Sequence, residues 1–115
     1  MPKTSGYELI IAIVNAGYSS LVMDAAYEAG SRGGTVLHAH GTANQEAEEF
    51  FHISIQRDKD VVLLVVPANI KDNVMHALYQ KAGLSSEGQG IAFSITVNDV
   101  AGLTKLSTKP ESKES

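Results

Sequence analysis

The chain has 115 residues, of which 43% are hydrophobic and 19% charged, and this predicts one globular domain that buries roughly two thirds of its unfolded surface. Lys and Arg total 9 against 13 for Asp and Glu, the net charge is -4, and the basic residues are dispersed, which argues against nucleic acid as a partner. The absence of cysteine excludes disulfides, thiolate metal sites and a cysteine nucleophile.

Neither a membrane span nor a secretion signal is predicted. The longest apolar run, residues 61–68, is far shorter than the ~20 residues that cross a bilayer, and the opening residues lack the apolar core of a signal peptide. We therefore expect a cytoplasmic protein with no direct membrane insertion. Residues 1–6 and 104–115 are expected to be disordered, because they offer too little apolar surface to offset the entropy of ordering. The folded domain is then 7–103.

The first 30 residues predict a strand followed by a helix. Tyr7–Asn15 is a nearly continuous apolar run with β-branched residues, which is typical of a central strand. Ser19 or Ser20 is predicted to cap the helix, and Gly30 suits the left-handed position that ends it. The predicted buried face consists of Leu21, Val22, Ala25, Ala26 and Ala29.

Residues 33–56 begin and end as a strand, but residues 42–49 are small, polar and acidic and fit neither a strand nor a helix. Alternation of apolar and polar residues resumes at 50–56, which predicts that the strand continues there. The polar residues 57–60 predict a hairpin turn.

The second half predicts a strand, a helix and a final strand. Residues 61–67 form a buried strand that Pro67 ends, because proline cannot donate to a sheet ladder. Asn69 is predicted to cap the second helix and Gly83 to end it. Its predicted buried stripe consists of Ile70, Val74, Ala77 and Leu78. A loop at 84–90 precedes the last strand, 91–97.

This order of elements predicts an α+β ferredoxin-like βαββαβ sandwich, with a four-stranded antiparallel sheet and two helices on one face. The other face meets either solvent or a neighbouring subunit. A wetted face shows a polar residue at every second position, and the two central strands do not. We therefore expect the domain to associate with itself.

Four pieces of the sequence, in order, are AIV in the first strand, AGSRGGTVLHAHG after the first helix, VVLLVVP in the third strand and GQGIAF at the last. Together they resemble the PII-like signalling protein family, the nitrogen regulatory protein PII superfamily, over most of residues 8–103. The resemblance implies a homotrimer whose sheets pack at the centre. It also implies clefts between subunits that bind an adenine nucleotide as ATP, ADP or AMP.

The resemblance gives the interruption at 42–49 a role as the family's T-loop, a mobile projection that contacts a regulated target protein. The loop is short, and it lacks the tyrosine of a Tyr-Arg-Gly sequence that many bacterial members uridylylate. That modification is therefore not expected. The target would be a transporter, an enzyme or a transcription factor, and the sequence does not choose among them.

The resemblance also implies which residues bind the ligand. These are Thr35, Gly41, Gln45, Lys59, Val65, Gly88, Gln89 and Gly90. Thr35 and Val65 would meet the adenine, and Lys59 would reach the terminal phosphate. Residues 88–90 would wrap the phosphates with backbone amides, and the other two lie at the base of the loop.

The chain departs from the family at three phosphate-binding cations. Ile91 replaces a lysine, and Gly102 and Thr104 stand where the family has arginines. Charge-assisted bonds to phosphate contribute roughly 1.5–3 kcal/mol each, so ATP is expected to bind weakly. ADP, AMP, a cyclic nucleotide or another anion stays open. Whether the protein senses 2-oxoglutarate also stays open. Gln45 and Lys59 suit this ligand, but the resemblance implies that Mg-ATP holds it, and the weakened triphosphate site argues against Mg-ATP.

An alternative function is a metal-binding trimer. His38 and His40 are two apart on a strand and share a face, and His52 is predicted to lie opposite them across the hairpin. Three imidazoles beside the acidic residues of 46–49 would suit zinc or copper.

The sequence does not predict an enzyme. It contains no cysteine nucleophile and no Gly-x-Ser-x-Gly elbow. The pattern also places no acid and base together. We therefore expect a binding protein.

Overall fold

The structure, a computed structural model, describes residues 5–42, 58–82, 84 and 90–102. Within these ranges the chain forms strands β1 (Tyr7–Asn15), β2 (Thr35–His40), β3 (Asp58–Pro67) and β4 (Gly90–Val97). It also forms helices α1 (Ser19–Glu28) and α2 (Lys71–Lys81), and a 3-10 turn at Ala68–Ile70 leads into α2. Neither helix combines the length and the apolar character that crossing a bilayer requires.

The four strands form one sheet in the order β2-β3-β1-β4, and every neighbouring pair is antiparallel. β1 pairs along its length with β3 on one side and β4 on the other, while β2 and β4 are the edges. Both helices cover the same face. The predicted ferredoxin-like α+β fold is therefore confirmed for the sheet and the helices.

The core lies between the helices and one face of the sheet, because successive strand residues point to opposite faces. Leu21, predicted to be buried, is 44% exposed, since it lies at the margin of the α1 stripe. The buried side chains are Ile10, Ala12 and Val14 of β1, Val62, Leu64 and Val66 of β3, Val22, Ala25 and Ala26 of α1, and Val74 and Leu78 of α2.

The other face of the sheet, here called the open face, is also apolar. Ile91 and Ile95 of β4 are 59% and 51% exposed. Its apolar members are Leu37 of β2, Leu9, Ile11 and Ile13 of β1, Val61, Leu63 and Val65 of β3, and Ile91, Phe93 and Ile95 of β4. As predicted, the two central strands are apolar on this face as well as on the face that the helices cover.

The predicted helix caps are wrong. α1 already begins at Ser19, and its cap position is Tyr18, which makes no side-chain capping bond. Asn69 lies inside the 3-10 turn, and α2 is preceded by Ile70, again without a side-chain cap. The physical reason at α2 is that the 3-10 turn itself provides tighter backbone bonds at the helix start.

The predicted hairpin turn at 57–60 is also wrong for its described part. Asp58, Lys59 and Asp60 are the first residues of β3, and all three pair with β2. Polar residues suit a strand when neighbouring side chains satisfy them, and here Asn15 and His38 bond to Lys59 and Asp60. The predicted strand at 50–56, the helix end at Gly83, the tail 104–115 and most of the loop 42–49 lie outside the described residues.

Replacing the buried Leu64 by alanine should lower the free energy of unfolding by about 2–5 kcal/mol, because it leaves a cavity between sheet and helices. Urea denaturation of the purified variant measures this loss. The control Tyr27→Ala changes an exposed side chain of α1 and should stay within about 0.5 kcal/mol of the parent. Similar losses in both variants would contradict the described core.

Candidate functional site

Thr35 and Val65 lie close together at the β2 edge of the sheet. Thr35 pairs with Leu63 of β3, so Val65 is its diagonal neighbour two residues further along. Period-2 alternation places both side chains on the open face, and both residues are exposed. The structure therefore brings together the two residues that were expected to meet an adenine.

At Gly34, just before Thr35, the backbone lies too close to β3 for any side chain. A Cβ built there would lie 2.6 Å from Leu64 Cδ2 and 2.8 Å from the Leu63 carbonyl oxygen. The backbone of β2 therefore enters the sheet in close contact with β3.

Lys59 lies on the open face at the other end of β3. Its Nζ donates a 2.7 Å hydrogen bond to Asn15 Oδ1, and its cross-strand partner on β2 is Ala39. Ala39 is four residues from Thr35, which is about 13 Å along a strand. Among the open-face side chains that the structure describes, Lys59 is the only cation. Gly41 follows the end of β2, while Gln45, Gly88 and Gln89 lie outside the described residues.

Gly90 and Ile91 lie at the opposite edge of the sheet. Gly90 has φ +153°, and a Cβ on it would lie 2.6 Å from the Ile13 carbonyl oxygen, so packing alone requires glycine there. Ile91 extends an exposed apolar side chain from the open face at the position where the resemblance implied a lysine. Gly102 is exposed, and Thr104 lies outside the described residues.

The predicted ligand residues therefore do not converge within one chain. Three inter-strand spacings, or about 14 Å, separate β2 with Thr35 from β4 with Gly90. A ligand that touches both groups must contact two copies of the sheet or span its whole width.

A shallow groove of about 240 Å³ lies between α2 and the β4 edge, and the sequence reasoning missed it. Its lining is Met75, Tyr79, Leu84, Gly90, Ile91 and Ala92. Met75 and Tyr79 are one turn apart on α2, and this i, i+4 apolar pair was the available signal. The groove adjoins Gly90, and the lining residues that the structure describes include no cation that could replace the missing phosphate ligands.

A buried carboxylate joins three elements at the end of the sheet where β3 begins. Asp60 is only 3% exposed. Its Oδ2 accepts a 3.1 Å bond from the Gly17 N–H in the turn before α1, and its Oδ1 lies 2.9 Å from His38 Nδ1 on β2. The hydrogen bond with His38, followed by the one from Gly17, holds the pKa of Asp60 below its usual value.

Aspartates, and not a third histidine, lie opposite His38 and His40 on the neighbouring strand β3. The partners of His38 and His40 on β3 are Asp60 and Asp58, because β3 begins three residues earlier than predicted. His52 lies outside the described residues. Within the described ranges, no three His, Asp or Glu side chains come together as a metal site.

The comparisons with known proteins agree with the fold. The sequence model of the family described as Nitrogen regulatory protein P-II matches residues 7–105. No curated protein matches the chain. Among solved structures, PII of Arabidopsis thaliana bound to citrate is 22% identical to this chain, with a TM-score of 0.66. The match covers 85% of this chain and 81% of the Arabidopsis chain.

Two further solved structures share the fold at lower identity. CPII, a nitrogen regulatory PII-like protein from Thiomonas intermedia K12 bound to ADP, AMP and bicarbonate, is 11% identical, with 84% of this chain and 96% of that chain covered and a TM-score of 0.62. A DUF3240 family protein from Shewanella baltica OS155 is 12% identical, with 86% and 98% covered and a TM-score of 0.63.

The fold and these matches define a signalling protein of the PII-like class. The family match extends from the first residue of β1 to beyond the last residue of β4. The chain belongs to the nitrogen regulatory protein P-II family.

Asp60→Asn should lower the urea midpoint of unfolding at neutral pH, because it removes the charge that His38 and the Gly17 amide meet. Since the folded-state pKa of Asp60 lies below its ordinary value of 3.8, its contribution is present above that pH. The contribution is lost as the pH falls through the folded-state pKa, so the difference between parent and variant should shrink under acid.

The matched control is Asp58→Asn, two residues away on the same strand face, whose side chain is exposed. It should leave the midpoint nearly unchanged. If both variants lose the same stability at pH 7, the carboxylate of Asp60 does not join the three elements as described.

Proposed function

We propose that the protein is a cytoplasmic PII-like signal-transduction protein. Three copies would bind an adenine nucleotide, or a related small anion, in clefts between them, and each copy would regulate a target protein through the loop 42–49. The observation that carries this proposal is the division of the ligand residues between the two edges of one apolar sheet, in a chain of the P-II family.

Self-association follows from the open face. Monomeric proteins rarely expose a contiguous apolar patch of this kind, and here all four strands contribute to it. Both described helices lie on the opposite face, and no described segment covers this one. We therefore infer that another molecule covers it. A second and a third copy supply matching apolar faces, in the homotrimer that the family resemblance implies.

A trimer would also complete the ligand site. If the β2 edge of one copy lies beside the β4 edge of the next, Thr35 and Val65 come to face Gly90 and Ile91 of a neighbouring chain. Such a head-to-tail contact repeats around a three-fold axis and closes a ring. This arrangement removes the roughly 14 Å separation that divides the two groups within one chain.

The charge of the described site favours a ligand with fewer phosphates than ATP. Lys59 is its one described cation, and Ile91 presents a hydrocarbon surface where a lysine was expected. A triphosphate would leave more negative charge unpaired than ADP or AMP would. The PII-like protein from Thiomonas intermedia was solved with ADP and AMP bound, which supports the same ligand class.

Thr35 begins β2, and Gly41 lies between the end of β2 and the loop 42–49. A ligand held at these two residues would therefore lie next to the start of the loop. A ligand that makes contacts in only one loop conformation shifts the population toward it. The target, whether a transporter, an enzyme or a transcription factor, would respond to that shift.

Calorimetric titration with AMP, ADP, ATP and cyclic AMP tests ligand binding. We expect ADP or AMP to bind more tightly than ATP. Lys59→Ala should weaken binding of the phosphate-bearing ligand by roughly 1.5–3 kcal/mol, or about 10- to 100-fold, because it removes a charge-assisted bond.

The control for this titration is Lys81→Ala on α2, which removes an exposed lysine that pairs with Glu28 on the helix side of the molecule. It should leave the affinity unchanged. The nucleotide proposal fails if no compound gives heat at millimolar concentration, or if both lysine variants weaken binding equally.

Ile91→Lys adds a cation at the β4 edge and should strengthen ATP binding by a similar factor, about 10- to 100-fold, while AMP binding changes little. The control Gln80→Lys places the same charge on an exposed position of α2. An equal gain for ATP in both variants would show a general charge effect, and it would contradict a phosphate position at Ile91.

A further inference from the structure

The side chains of His38 and His40 each lie beside a carboxylate of the neighbouring strand. His38 Nδ1 lies 2.9 Å from Asp60 Oδ1, and His40 Nδ1 lies 3.6 Å from Asp58 Oδ1. The two pairs are successive same-face positions of the β2–β3 ladder. Both imidazoles are nevertheless mostly in solvent, with side-chain exposures of 87% and 69%.

At His38 this arrangement defines which ring nitrogen is free, because Nδ1 and Asp60 Oδ1 are within hydrogen-bond distance. The 3.6 Å separation between His40 Nδ1 and Asp58 Oδ1 is an ion-pair distance and is too long for a hydrogen bond. A carboxylate near Nδ1 favours the tautomer in which Nδ1 carries the proton and donates it, and the Nε2 lone pair then points away. Histidines that ligate metals usually have their second nitrogen held in this way by a carboxylate or a carbonyl. Asp60 is itself fixed by the Gly17 amide, so it can hold the ring of His38 in a defined orientation.

The charges on this face also favour a cation. Asp58 and Asp60 contribute two carboxylates on the helix side of the sheet. Lys59, between them in sequence, points to the opposite face and bonds to Asn15. The two histidines therefore lie on the opposite face of the sheet from Thr35, Lys59 and Val65 of the proposed nucleotide site.

We infer that His38 and His40 bind one divalent transition-metal ion through their Nε2 atoms, with Asp60 orienting the His38 ring through its hydrogen bond to Nδ1. Two imidazoles at positions i and i+2 of a strand project from the same face and can chelate one ion. Imidazole ligands suit copper(II), nickel(II) and zinc(II), and copper(II) binds most strongly in this series. Water completes the coordination, so the affinity is lower than that of a four-ligand structural site.

Titration of the full chain with copper(II), followed by calorimetry and electron paramagnetic resonance, tests the site. We expect one ion per chain and a spectrum with hyperfine coupling from two imidazole nitrogens. His40→Ala should abolish the two-nitrogen signal and weaken binding, because chelation needs both rings. Asp60→Asn removes the carboxylate that orients His38 and should weaken binding by roughly 10- to 100-fold. Because this variant is also expected to be less stable, circular dichroism should verify that it is folded at the titration temperature.

His40→Ala is the decisive variant. The described partner of His40 is the exposed carboxylate of Asp58, so its loss should not affect folding, which circular dichroism can verify. The matched control His76→Ala removes an exposed histidine of α2 and should change neither stoichiometry nor spectrum. An unchanged spectrum in His40→Ala overturns the inference. Loss of binding in His52→Ala also overturns it, because the pair on β2 would then be insufficient.

Discussion

The structure depends on a sheet that is apolar on both faces, of which the described helices cover only one. β1 and β3 lie at the centre of the sheet and alternate between side chains of the core and side chains of the open face. Burial stabilises by roughly 25 cal/mol per Å² of apolar surface, so the uncovered face represents a large unused driving force for association. The proposed trimer is the arrangement that uses it. The proposed ligand site follows from that association, because its two groups of residues lie at opposite edges of each sheet.

Strand alternation also separates two kinds of chemistry at the end of the sheet where β3 begins. Lys59 points to the open face with Thr35 and Val65, whereas Asp58 and Asp60 point to the helix side and meet the two histidines of β2. A shift of one residue in the β2–β3 register would exchange these faces. The buried Asp60 opposes such a shift, because its carboxylate meets both His38 and the Gly17 amide.

Much of the fold could be predicted from the sequence, since long apolar runs and helical periodicity determined β1, the body of β3 and both helices. The first residues of β3 could not, because Asp58, Lys59 and Asp60 are polar and their partners come from β1 and β2. The start of α1 was mispredicted for a related reason. The side chain that accepts a hydrogen bond from the turn before α1 is Asp60, more than 40 residues away in the sequence. The candidate ligand residues came from the family resemblance. The structure adds that Thr35 and Val65 are neighbours, that Gly90 is also required by packing, and that the histidines face aspartates.

Sedimentation velocity on the parent chain and two variants tests whether the open face holds three copies of the chain together. Phe93→Glu places a charge on the open face, and Tyr79→Glu places the same charge on an exposed aromatic of α2. We expect a particle of three chains for the parent and for Tyr79→Glu, and dissociation for Phe93→Glu. A parent that sediments as a single stable chain, or a Phe93→Glu variant that retains the parent's mass, would contradict it.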